Sequence, residues 1–339
     1  MNDFRKLAEL CRNRNIYIQT HNFPDPDALG SAFALQRLLA HFDIEAKICC
    51  AGTCDRLSVS KMLELFDIQI TACEELRAER TEKETEKKTE KKTAEDAIIC
   101  VDSQRYGGNI AEFTENVIAC IDHHPTFVQA SYEYAELCIT GSCATLIAKY
   151  YQELGIIPEQ DTATALLYGL RMDTLQFTRG VTQLDIEMFG FLFPLCDQGK
   201  LFRLEHNNMC LEDLRAYGAV IDSIAIYGKV GFAEIPFACP DGLVAALSDF
   251  ILDLEEVVIS VVCCQRPDGM KLSVRSEVQE IHAGYLRHLA LKGLGDGGGH
   301  QVMAGGLVKK NALQEISHPE TVIRERILWA FEEMKTRNI

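Results

Sequence analysis

Side chains of the kind that bind metals stand close together near the start of the chain, directly after the apolar run 16–20. His21, Asp25 and Asp27 fall within one short loop that two prolines stiffen. Carboxylate oxygens and imidazole nitrogens are ligands that proteins offer to magnesium, manganese and related divalent ions. The loop therefore predicts part of a metal centre that residues from elsewhere in the chain complete.

Further candidate ligands follow at intervals along the chain, namely Asp102, the run Asp122-His123-His124, and Asp173. A hydrolytic site with two metal ions needs several carboxylates and imidazoles around ions about 3.5–4 Å apart, and the chain offers that inventory. Adjacent histidines on an extended strand end point in opposite directions, so one can bind metal while the other faces the substrate. Asp122 is then placed to accept the free N–H of an imidazole.

Each of these residues has an ordinary structural explanation when it is taken alone. An aspartate after a strand often caps a helix, and a single histidine often hydrogen-bonds in the core or at the surface. The ordered combination of all of them is hard to obtain by accident. Four ligand aspartates would carry four negative charges, which two divalent ions would neutralise before a phosphate arrives.

A second candidate region lies near the end of the chain, where Gly297, Gly298 and Gly299 precede His300. Glycines let a backbone approach an anion closely, and His300 and Arg275 can donate charge-assisted hydrogen bonds to phosphate. The alternative is a tight turn between a strand and a helix, which the same glycines would form without any ligand. The metal ligands elsewhere in the chain favour the phosphate-binding interpretation.

Composition narrows the class of protein and of substrate. The chain has 339 residues, of which 47% are hydrophobic, and a formal net charge of −16. Such a surface repels long nucleic acid, so we expect a small anionic substrate and no binding to long duplexes. The 14 cysteines lie mostly in apolar runs and predict reduced core thiols. No apolar run is long enough to cross a membrane, and we expect a cytoplasmic protein.

The order of apolar patterns predicts an α/β fold. Short β-branched runs alternate with helical patterns in the first half of the chain and predict a parallel sheet. The predicted strands are 15–20, 45–50, 97–101 and 116–121, and the predicted helices are 28–41, 143–154, 162–170 and 184–195. Ligands bind at the carboxyl ends of strands in such sheets, where His21, Asp102 and Asp122 would converge.

Two domains follow from the length and from a change of pattern. We place the first domain at 1–195, a linker at 196–212, and a smaller α+β domain at 213–339. The second domain alternates as strands over 224–235 and 257–275, with helices at 243–254 and 321–334. Residues 78–95 are dominated by glutamate, lysine and threonine and predict a charged surface insertion, either a solvated helix or a disordered segment.

Together these motifs resemble those of the DHH-family phosphoesterases, named for a triplet such as Asp122-His123-His124, of the branch with a DHHA1 C-terminal domain. The resemblance runs from His21 to Gly306 and is greatest to RecJ-like hydrolases of the nanoRNase and pAp-phosphatase type. It implies a parallel-sheet DHH domain, a smaller DHHA1 domain and two divalent ions. Manganese is the usual metal of the family, and magnesium and cobalt are alternatives.

By position, the resemblance implies two metal sites that share Asp102. One ion would be bound by His21, Asp25 and Asp102, and the other by Asp27, Asp102, His123 and Asp173. His124 and Asp102 would be catalytic, with His124 facing the scissile phosphate, and Asp122 would orient an imidazole. The far part of the nucleotide would be held by Arg275, Gly298, Gly299 and His300.

The resulting hypothesis is hydrolysis of short oligonucleotides, of 3′-phosphoadenosine 5′-phosphate, or of both, by water activated between two metal ions. Within the same chemistry, a cyclic-dinucleotide phosphodiesterase and an inorganic pyrophosphatase are alternatives. From a different class, a non-catalytic nucleotide-binding regulatory protein would keep the fold, although such proteins usually lose one of these carboxylates. The stretch 174–180 differs from the common nanoRNase version, which bears on substrate preference. A homodimer is the commonest oligomer for such a chain.

Overall fold

The computed structural model of the chain describes residues 4–52, 54, 57–86, 95–126, 128–206, 208–278, 280–299 and 301–337. The chain divides into two compact units, Met1–Asn208 and Met209–Ile339. Each unit contains one six-stranded sheet with its helices, which confirms the predicted fold class. Among the described residues, no helix combines the length and the apolar character that crossing a bilayer requires.

The first unit alternates strands with helices. Its elements are α1 (Phe4–Cys11), β1 (Arg14–Gln19), α2 (Pro26–Ala40), β2 (Ala46–Cys50), α3 (Leu57–Phe66), β3 (Ile70–Ala72), α4 (Cys73–Glu86), β4 (Glu95–Val101), β5 (Val117–Asp122), β6 (Tyr134–Leu137), α5 (Cys143–Leu154), α6 (Gln160–Asp173), α7 (Gln183–Leu192) and α8 (Gln198–Glu205). All neighbouring strands are parallel, in the order β3-β2-β1-β4-β5-β6. The order reverses between β1 and β4, and this leaves a crevice at the carboxyl ends of these two strands.

Buried side chains on both faces of the sheet explain why these segments form strands. Ile18 of β1 and Ile99 of β4 pack into one core cluster, whereas Tyr17 and Ile98 pack into another. Successive side chains of a strand point to opposite faces, so a strand covered on both faces is apolar throughout. Ile18 pairs with Ile48 on one side and with Ile99 on the other, which fixes the register of the central strand.

Helix α2 follows the predicted metal loop and packs closely on α6. Asp25 is its N-cap, and Pro26 occupies the first helical turn, where a missing N–H costs nothing. A Cβ atom on Gly30 would lie 2.6 Å from the backbone oxygen of Ala165. Only glycine permits this approach, and the close packing fixes the direction in which the loop before α2 leaves the sheet.

The second unit is a mixed sheet with helices. Its elements are α9 (Asp213–Ser223), β7 (Ala225–Tyr227), β8 (Val230–Ile235), α10 (Asp241–Leu252), β9 (Ile259–Arg266), β10 (Gly269–Ser276), α11 (Ala283–Leu291), β11 (Gly295–Gly299), β12 (Met303–Lys309), α12 (Lys310–Gln314) and α13 (Pro319–Arg337). The strand order is β11-β12-β10-β9-β8-β7, and β8 and β9 form the one parallel pair among these strands. Helix α10 supplies the crossover that a parallel pair requires.

The glycine-rich stretch near the end of the chain is a strand. β11 lies at the edge of the sheet and pairs antiparallel with β12. A Cβ atom on Gly297 would lie 2.2 Å from the backbone oxygen of Gly305, so glycine is needed for the two strands to approach. The alternative of a tight strand-to-helix turn is therefore wrong, and phosphate binding by this stretch stays a prediction.

Two predicted boundaries differ from the observed ones. The stretch 196–212, predicted as a linker, contains helix α8, whose Leu201 and Leu204 are buried in the core of the first unit. Asp197 caps this helix by accepting hydrogen bonds from the backbone N–H groups of Gly199 and Lys200. A glycine in the first turn weakens the helical pattern, which explains the prediction of a linker. The charged stretch 78–95 begins in α4, and residues 87–94 lie outside the described residues.

The cysteines are core residues, as their surroundings in the sequence predict. All 14 are free thiols, buried except for Cys54, Cys138 and Cys210. Burial raises the pKa of the Cys11 thiol to about 12, although Arg14 opposes the shift. A thiol that stays protonated in this way is a poor nucleophile and a poor metal ligand, so we assign Cys11 to packing.

Candidate metal centre

The predicted ligands stand at the carboxyl ends of neighbouring strands. His21 follows β1, Asp102 follows β4, and Asp122 is the last residue of β5. These strands are adjacent in the sheet, and β1 and β4 flank the point where the strand order reverses. His21 meets Asp102 and Asp122, which lie 81 and 101 positions later in the sequence, because parallel strands end at the same edge of a sheet.

Asp102 connects two groups of candidate ligands. In the first group, His21 Nε2 lies 3.6 Å from Asp102 Oδ2 and 4.0 Å from Asp25 Oδ1. One ligand atom from each of these three residues falls within 4.8 Å of the others. This is the set that the resemblance implies for one ion. Asp25 also caps α2, because its Oδ1 accepts hydrogen bonds from the N–H groups of Asp27 and Ala28.

The second group lies around His123 Nε2. This nitrogen is 3.3 Å from Asp173 Oδ2, 3.9 Å from Asp27 Oδ2 and 3.3 Å from Asp102 Oδ1. Asp102 thus presents one carboxylate oxygen to each group, which is the arrangement of a bridging ligand. The structure brings together all six residues that the sequence predicts as metal ligands, and their role as ligands stays a prediction.

A strained backbone directs the Asp102 carboxylate. Asp102 has φ +56°, in the left-handed region that residues other than glycine, asparagine and aspartate rarely adopt. The residue is 2% exposed and stands immediately after the buried strand β4. Such strain persists where the surroundings fix it, and it is frequent at functional sites. Here it turns the side chain out of the strand and towards both histidines.

The N-terminus of α5 holds Asp27. The backbone N–H of Cys143 donates to Asp27 Oδ2 at 2.7 Å, and that of Ala144 donates to Asp27 Oδ1 at 2.9 Å. The first N–H groups of a helix have no partner within the helix and carry partial positive charge, so they stabilise a buried carboxylate. These two hydrogen bonds fix the carboxylate of Asp27, which is 1% exposed.

One ring nitrogen of His123 is committed to the backbone. His123 Nδ1 lies 3.0 Å from the carbonyl oxygen of Thr140, which can only accept, so Nδ1 carries the proton and Nε2 faces the carboxylates. Both His123 Nε2 and Asp102 Oδ1 are buried, and although they lie 3.3 Å apart, neither has a well-directed hydrogen bond within the described part of the chain. Buried polar atoms without partners are costly, and a divalent cation would satisfy both at once. The residues present therefore fit a metal centre.

Asp122 orients His124. His124 Nδ1 donates to Asp122 Oδ1 at 2.9 Å, and Gln104 Nε2 donates to Asp122 Oδ2 at 2.8 Å. These hydrogen bonds hold the pKa of Asp122 below its usual range even though burial opposes them. Burial lowers the pKa of His124, but Asp122 and Asp102 together outweigh this effect and raise it.

The ring centroids of His123 and His124 lie 4.1 Å apart, so the prediction that these side chains point in opposite directions is wrong. The strand ends at Asp122, and the alternation of an extended strand therefore does not apply to the two histidines. The side chain of His124 is 45% exposed, against 9% for His123.

The surroundings of Asp27, Asp102 and Asp173 favour the protonated forms of their carboxyl groups when no cation is near. Burial raises the pKa of Asp27 and of Asp102, and neighbouring carboxylates add to the effect. Burial and Asp25 raise the pKa of Asp173, although His123 opposes the shift. Burial lowers the pKa of His123, but the carboxylates around it outweigh this effect and raise it to about 11. Divalent cations would displace these protons when they bind.

Asp185 supports the centre and has no counterpart among the predicted residues. Its Oδ2 accepts hydrogen bonds from the backbone of Gly141 at 2.9 Å and of Thr182 at 2.7 Å, and its Oδ1 accepts from Thr145 Oγ1 at 2.5 Å. Gly141 follows the residue that holds His123, and Thr145 lies in the first turn of α5. The pair of Thr182 and Asp185 reads in sequence as a capping box, which predicts the start of a helix but not this link.

The predicted substrate residues of the second unit are arranged differently. Arg275 Nε donates to Asp249 Oδ1 at 2.7 Å, and Arg275 Nη1 donates to the carbonyl oxygen of Val274 at 3.2 Å. Gly298 and Gly299 belong to the edge strand β11, and His300 lies outside the described residues. The described contacts of Arg275 are structural, and its role in binding substrate stays a prediction.

Some of the matches to known proteins cover about half of the chain, and others cover nearly all of it. Residues 15–170 match the model of the DHH family, N-terminal domain. The chain is 26% identical over 345 residues to the bifunctional oligoribonuclease and PAP phosphatase NrnA of Thermus thermophilus, and the match covers 98% of this chain and 94% of that protein. It is 27% identical over 164 residues to a probable manganese-dependent inorganic pyrophosphatase of Streptococcus mutans, which covers 47% of this chain and 48% of that protein.

A longer relative and two solved structures complete the comparison. An uncharacterized protein of Methanocaldococcus jannaschii is 25% identical over 309 residues, which are 91% of this chain but 60% of that protein. An exopolyphosphatase-related protein of Bacteroides fragilis has a TM-score of 0.74 at 20% identity, with 96% of each chain covered. RecJ of Thermus thermophilus in complex with Mn²⁺ has a TM-score of 0.56 at 16% identity, with 98% of this chain and 55% of that chain covered. These structures share the fold of the chain.

Proposed function

This chain belongs to the DHH family of phosphoesterases, and we propose that it hydrolyses short oligonucleotides, 3′-phosphoadenosine 5′-phosphate, or both, with two divalent metal ions. One observation carries the proposal. Asp102 lies in one group with His21 and Asp25, and it is 3.3 Å from His123, which forms a second group with Asp27 and Asp173. The buried atoms Asp102 Oδ1 and His123 Nε2 have no well-directed hydrogen bond among the described residues. Manganese is the metal we expect.

The choice of substrate is supported by the relatives and by charge. The relative from Thermus thermophilus, which matches this chain over nearly its whole length, is named as an oligoribonuclease and PAP phosphatase. A net charge of −16 disfavours long nucleic acid, because binding of a long strand depends on many basic contacts to phosphates. A short substrate with few phosphates avoids most of this repulsion.

The residues of the chain divide the work of hydrolysis between them. Divalent ions at such a site supply an activated water and neutralise the negative charge on the phosphate. His21, Asp25, Asp27, Asp102, His123 and Asp173 would hold these ions. The Nδ1–H group of His124 donates a hydrogen bond to Asp122. Nε2 of the protonated imidazole is then left to donate to the departing ester oxygen. The raised pKa of His124 favours the protonated form that such a donor needs.

An inorganic pyrophosphatase is the second candidate, and one observation favours it. A relative named as a probable manganese-dependent inorganic pyrophosphatase matches this chain at 27% identity, but over 47% of its length. The longer match to the oligoribonuclease and phosphatase is the reason why we rank the nucleotide substrates first.

The test is a product profile with and without Mn²⁺. The purified protein is incubated with 3′-phosphoadenosine 5′-phosphate, a 5′-phosphorylated RNA dinucleotide, longer RNA, single-stranded DNA, cyclic di-AMP and pyrophosphate. We expect Mn²⁺-dependent release of mononucleotide or phosphate from the first two substrates, abolished by a chelator. Faster turnover of pyrophosphate or of cyclic di-AMP would instead select one of the alternatives, and no turnover of any substrate would favour a non-catalytic binding protein.

A further inference from the structure

The segment that follows α6 has an unusual backbone. Leu175, Gln176 and Phe177 have φ values of +46°, +56° and +68°. Three consecutive residues other than glycine in the left-handed region are disfavoured by contacts between Cβ and the backbone. A conformation of this kind persists only where its surroundings determine it, and it often marks a functional position.

Local contacts fix this turn. The hydroxyl of Thr174 accepts a hydrogen bond from the backbone N–H of Phe177 at 3.2 Å. The carbonyl oxygen of Thr174 accepts from the N–H groups of Thr178 at 3.0 Å and of Arg179 at 2.9 Å. The Phe177 ring packs edge-on against Phe189 of α7, with 5.0 Å between ring centroids. The chain therefore reverses directly after Asp173 and brings Arg179 back to it.

Arg179 contacts the backbone of a candidate metal ligand as a result. Its Nη2 donates to the carbonyl oxygen of Asp173 at 3.0 Å, and the carboxylate of Asp173 lies 3.3 Å from His123 Nε2.

Arg179 has no carboxylate partner among the residues that the structure describes. Arg105 pairs with Glu115, and Arg171 pairs with Glu205. In the part of the chain that the structure describes, Arg179 forms no ion pair with a carboxylate side chain, and its side chain is half-buried. A guanidinium has five N–H donors, and the one described hydrogen bond of Arg179 leaves most of them for a ligand.

We propose that Arg179 binds the phosphoryl group of the substrate by donating to its non-bridging oxygens. The inference rests on the proposed function in one respect, namely that the substrate carries a phosphate that reaches this centre. Among carboxylates and imidazoles, a guanidinium that the turn has already positioned offers paired donors that match the oxygens of a phosphate. The simpler alternative is that Arg179 only stabilises the C-terminal end of α6, where Asp173 provides the last helical carbonyl.

Titration with inorganic phosphate separates the two roles without any need for turnover. The full chain is loaded with Mn²⁺ and titrated with phosphate by calorimetry, as wild type, Arg179→Gln and Arg179→Lys. Arg203→Gln is the matched control, because it removes the same charge from an exposed arginine of α8. We expect Arg179→Gln to bind phosphate about 10- to 100-fold more weakly, with Arg179→Lys in between and the control unchanged. Mn²⁺ affinity should change by less than about twofold in all variants.

Several results would overturn the inference. If Arg179→Gln weakens Mn²⁺ binding and leaves phosphate binding unchanged, Arg179 acts only through the end of α6. If Arg179→Gln does not fold, a lysine variant that binds phosphate as tightly as the wild type refutes the inference, because lysine lacks the paired donors. A wild-type protein that binds no phosphate in the presence of Mn²⁺ also refutes it. If no substrate is hydrolysed but phosphate binding depends on Arg179, the proposed function fails and this inference stands.

Discussion

The two units of the chain hold their candidate residues in different ways. In the first unit, Asp27 and His123 are buried, and backbone groups hold both side chains. His123 Nε2 faces the carboxylate of Asp27. In the second unit, Arg275 pairs with an exposed carboxylate, Asp249, and the predicted binding glycines form an exposed strand. Groups fixed before a ligand arrives bind it at a lower entropic cost than groups that must exchange partners. We therefore expect chemistry to depend on the first unit and affinity to depend on the second.

Removal of the shared carboxylate is the strongest way to test this division. Asp102→Asn is expected to lower Mn²⁺-dependent turnover on the order of 1,000-fold or more, since loss of residues that merely support metal ligands costs about 10–100-fold. The same variant should raise the melting temperature of the metal-free protein, because a neutral amide avoids the cost that burial imposes on the carboxyl group of Asp102. The measurements are turnover and thermal unfolding after chelation.

Asp161→Asn is the matched control for Asp102→Asn. Asp161 lies in α6 of the same unit, and its carboxylate pairs with Lys200 at the surface. The Asp161→Asn substitution should leave turnover and the melting temperature of the metal-free protein nearly unchanged. Equal loss of turnover in both variants would show that the first unit is merely fragile, and it would break the comparison.

Metal affinity should depend on pH through the first unit alone. Because the pKa values of Asp27, Asp102 and Asp173 are raised, these groups hold protons that a cation must displace. Mn²⁺ should bind with release of protons, and its affinity should fall as the pH falls, by about tenfold per pH unit for each proton released. Calorimetry in buffers of different ionisation enthalpy counts these protons, and a count of zero would contradict the raised pKa values.

Arg275→Gln tests the second unit. We expect KM for a nucleotide substrate to rise about 3- to 10-fold with kcat nearly unchanged, which is the pattern of lost ground-state binding. Asp249→Asn separates the role of Arg275 in substrate binding from its role in stability. It removes the carboxylate partner of Arg275 but keeps the positive charge of Arg275. If the ion pair only stabilises the fold, both variants should lower the melting temperature and neither should change KM.

The smallest effect concerns the packing that positions the metal loop. Gly30→Ala places a Cβ atom 2.6 Å from the backbone oxygen of Ala165, and we expect it to lower the free energy of unfolding by about 1–3 kcal/mol. Gly190→Ala, also in a helix of the first unit, meets no atom within 4 Å and should instead stabilise by about 0.5–1 kcal/mol. Urea unfolding of both variants measures the difference, and equal stabilities would refute the close helix contact.

The parts of the site that the sequence could predict are those that strand ends position. His21, Asp102 and Asp122 each follow an apolar run, so the shared edge of a parallel sheet was enough to bring them together. The approach of Arg179 to Asp173 could not be predicted in this way. It depends on three residues in a left-handed conformation that their side chains disfavour, and no pattern of apolar residues records such a turn.

The second unit shows a related limit. Glycine is uncommon in strands, so five residues that include four glycines do not read as one. The strand β11 forms because its partner β12 also carries glycines, and Gly297 lies opposite Gly306. Pairing of distant segments, rather than local preference, decides the structure there. Helix α8 was predicted as part of a linker for a local reason. A glycine in its first turn weakens the helical pattern that Leu201 and Leu204 otherwise support.

The hydrogen bond from His123 to Thr140 has a consequence for how this site can change. The acceptor is a peptide oxygen, which every amino acid at position 140 would supply. Mutation of that residue can therefore leave the orientation of the imidazole intact, whereas a shift of the loop by a fraction of an ångström would not. A related protein with another residue at this position could still present the same nitrogen, so a comparison of sequences would overlook one of the groups that orient the imidazole.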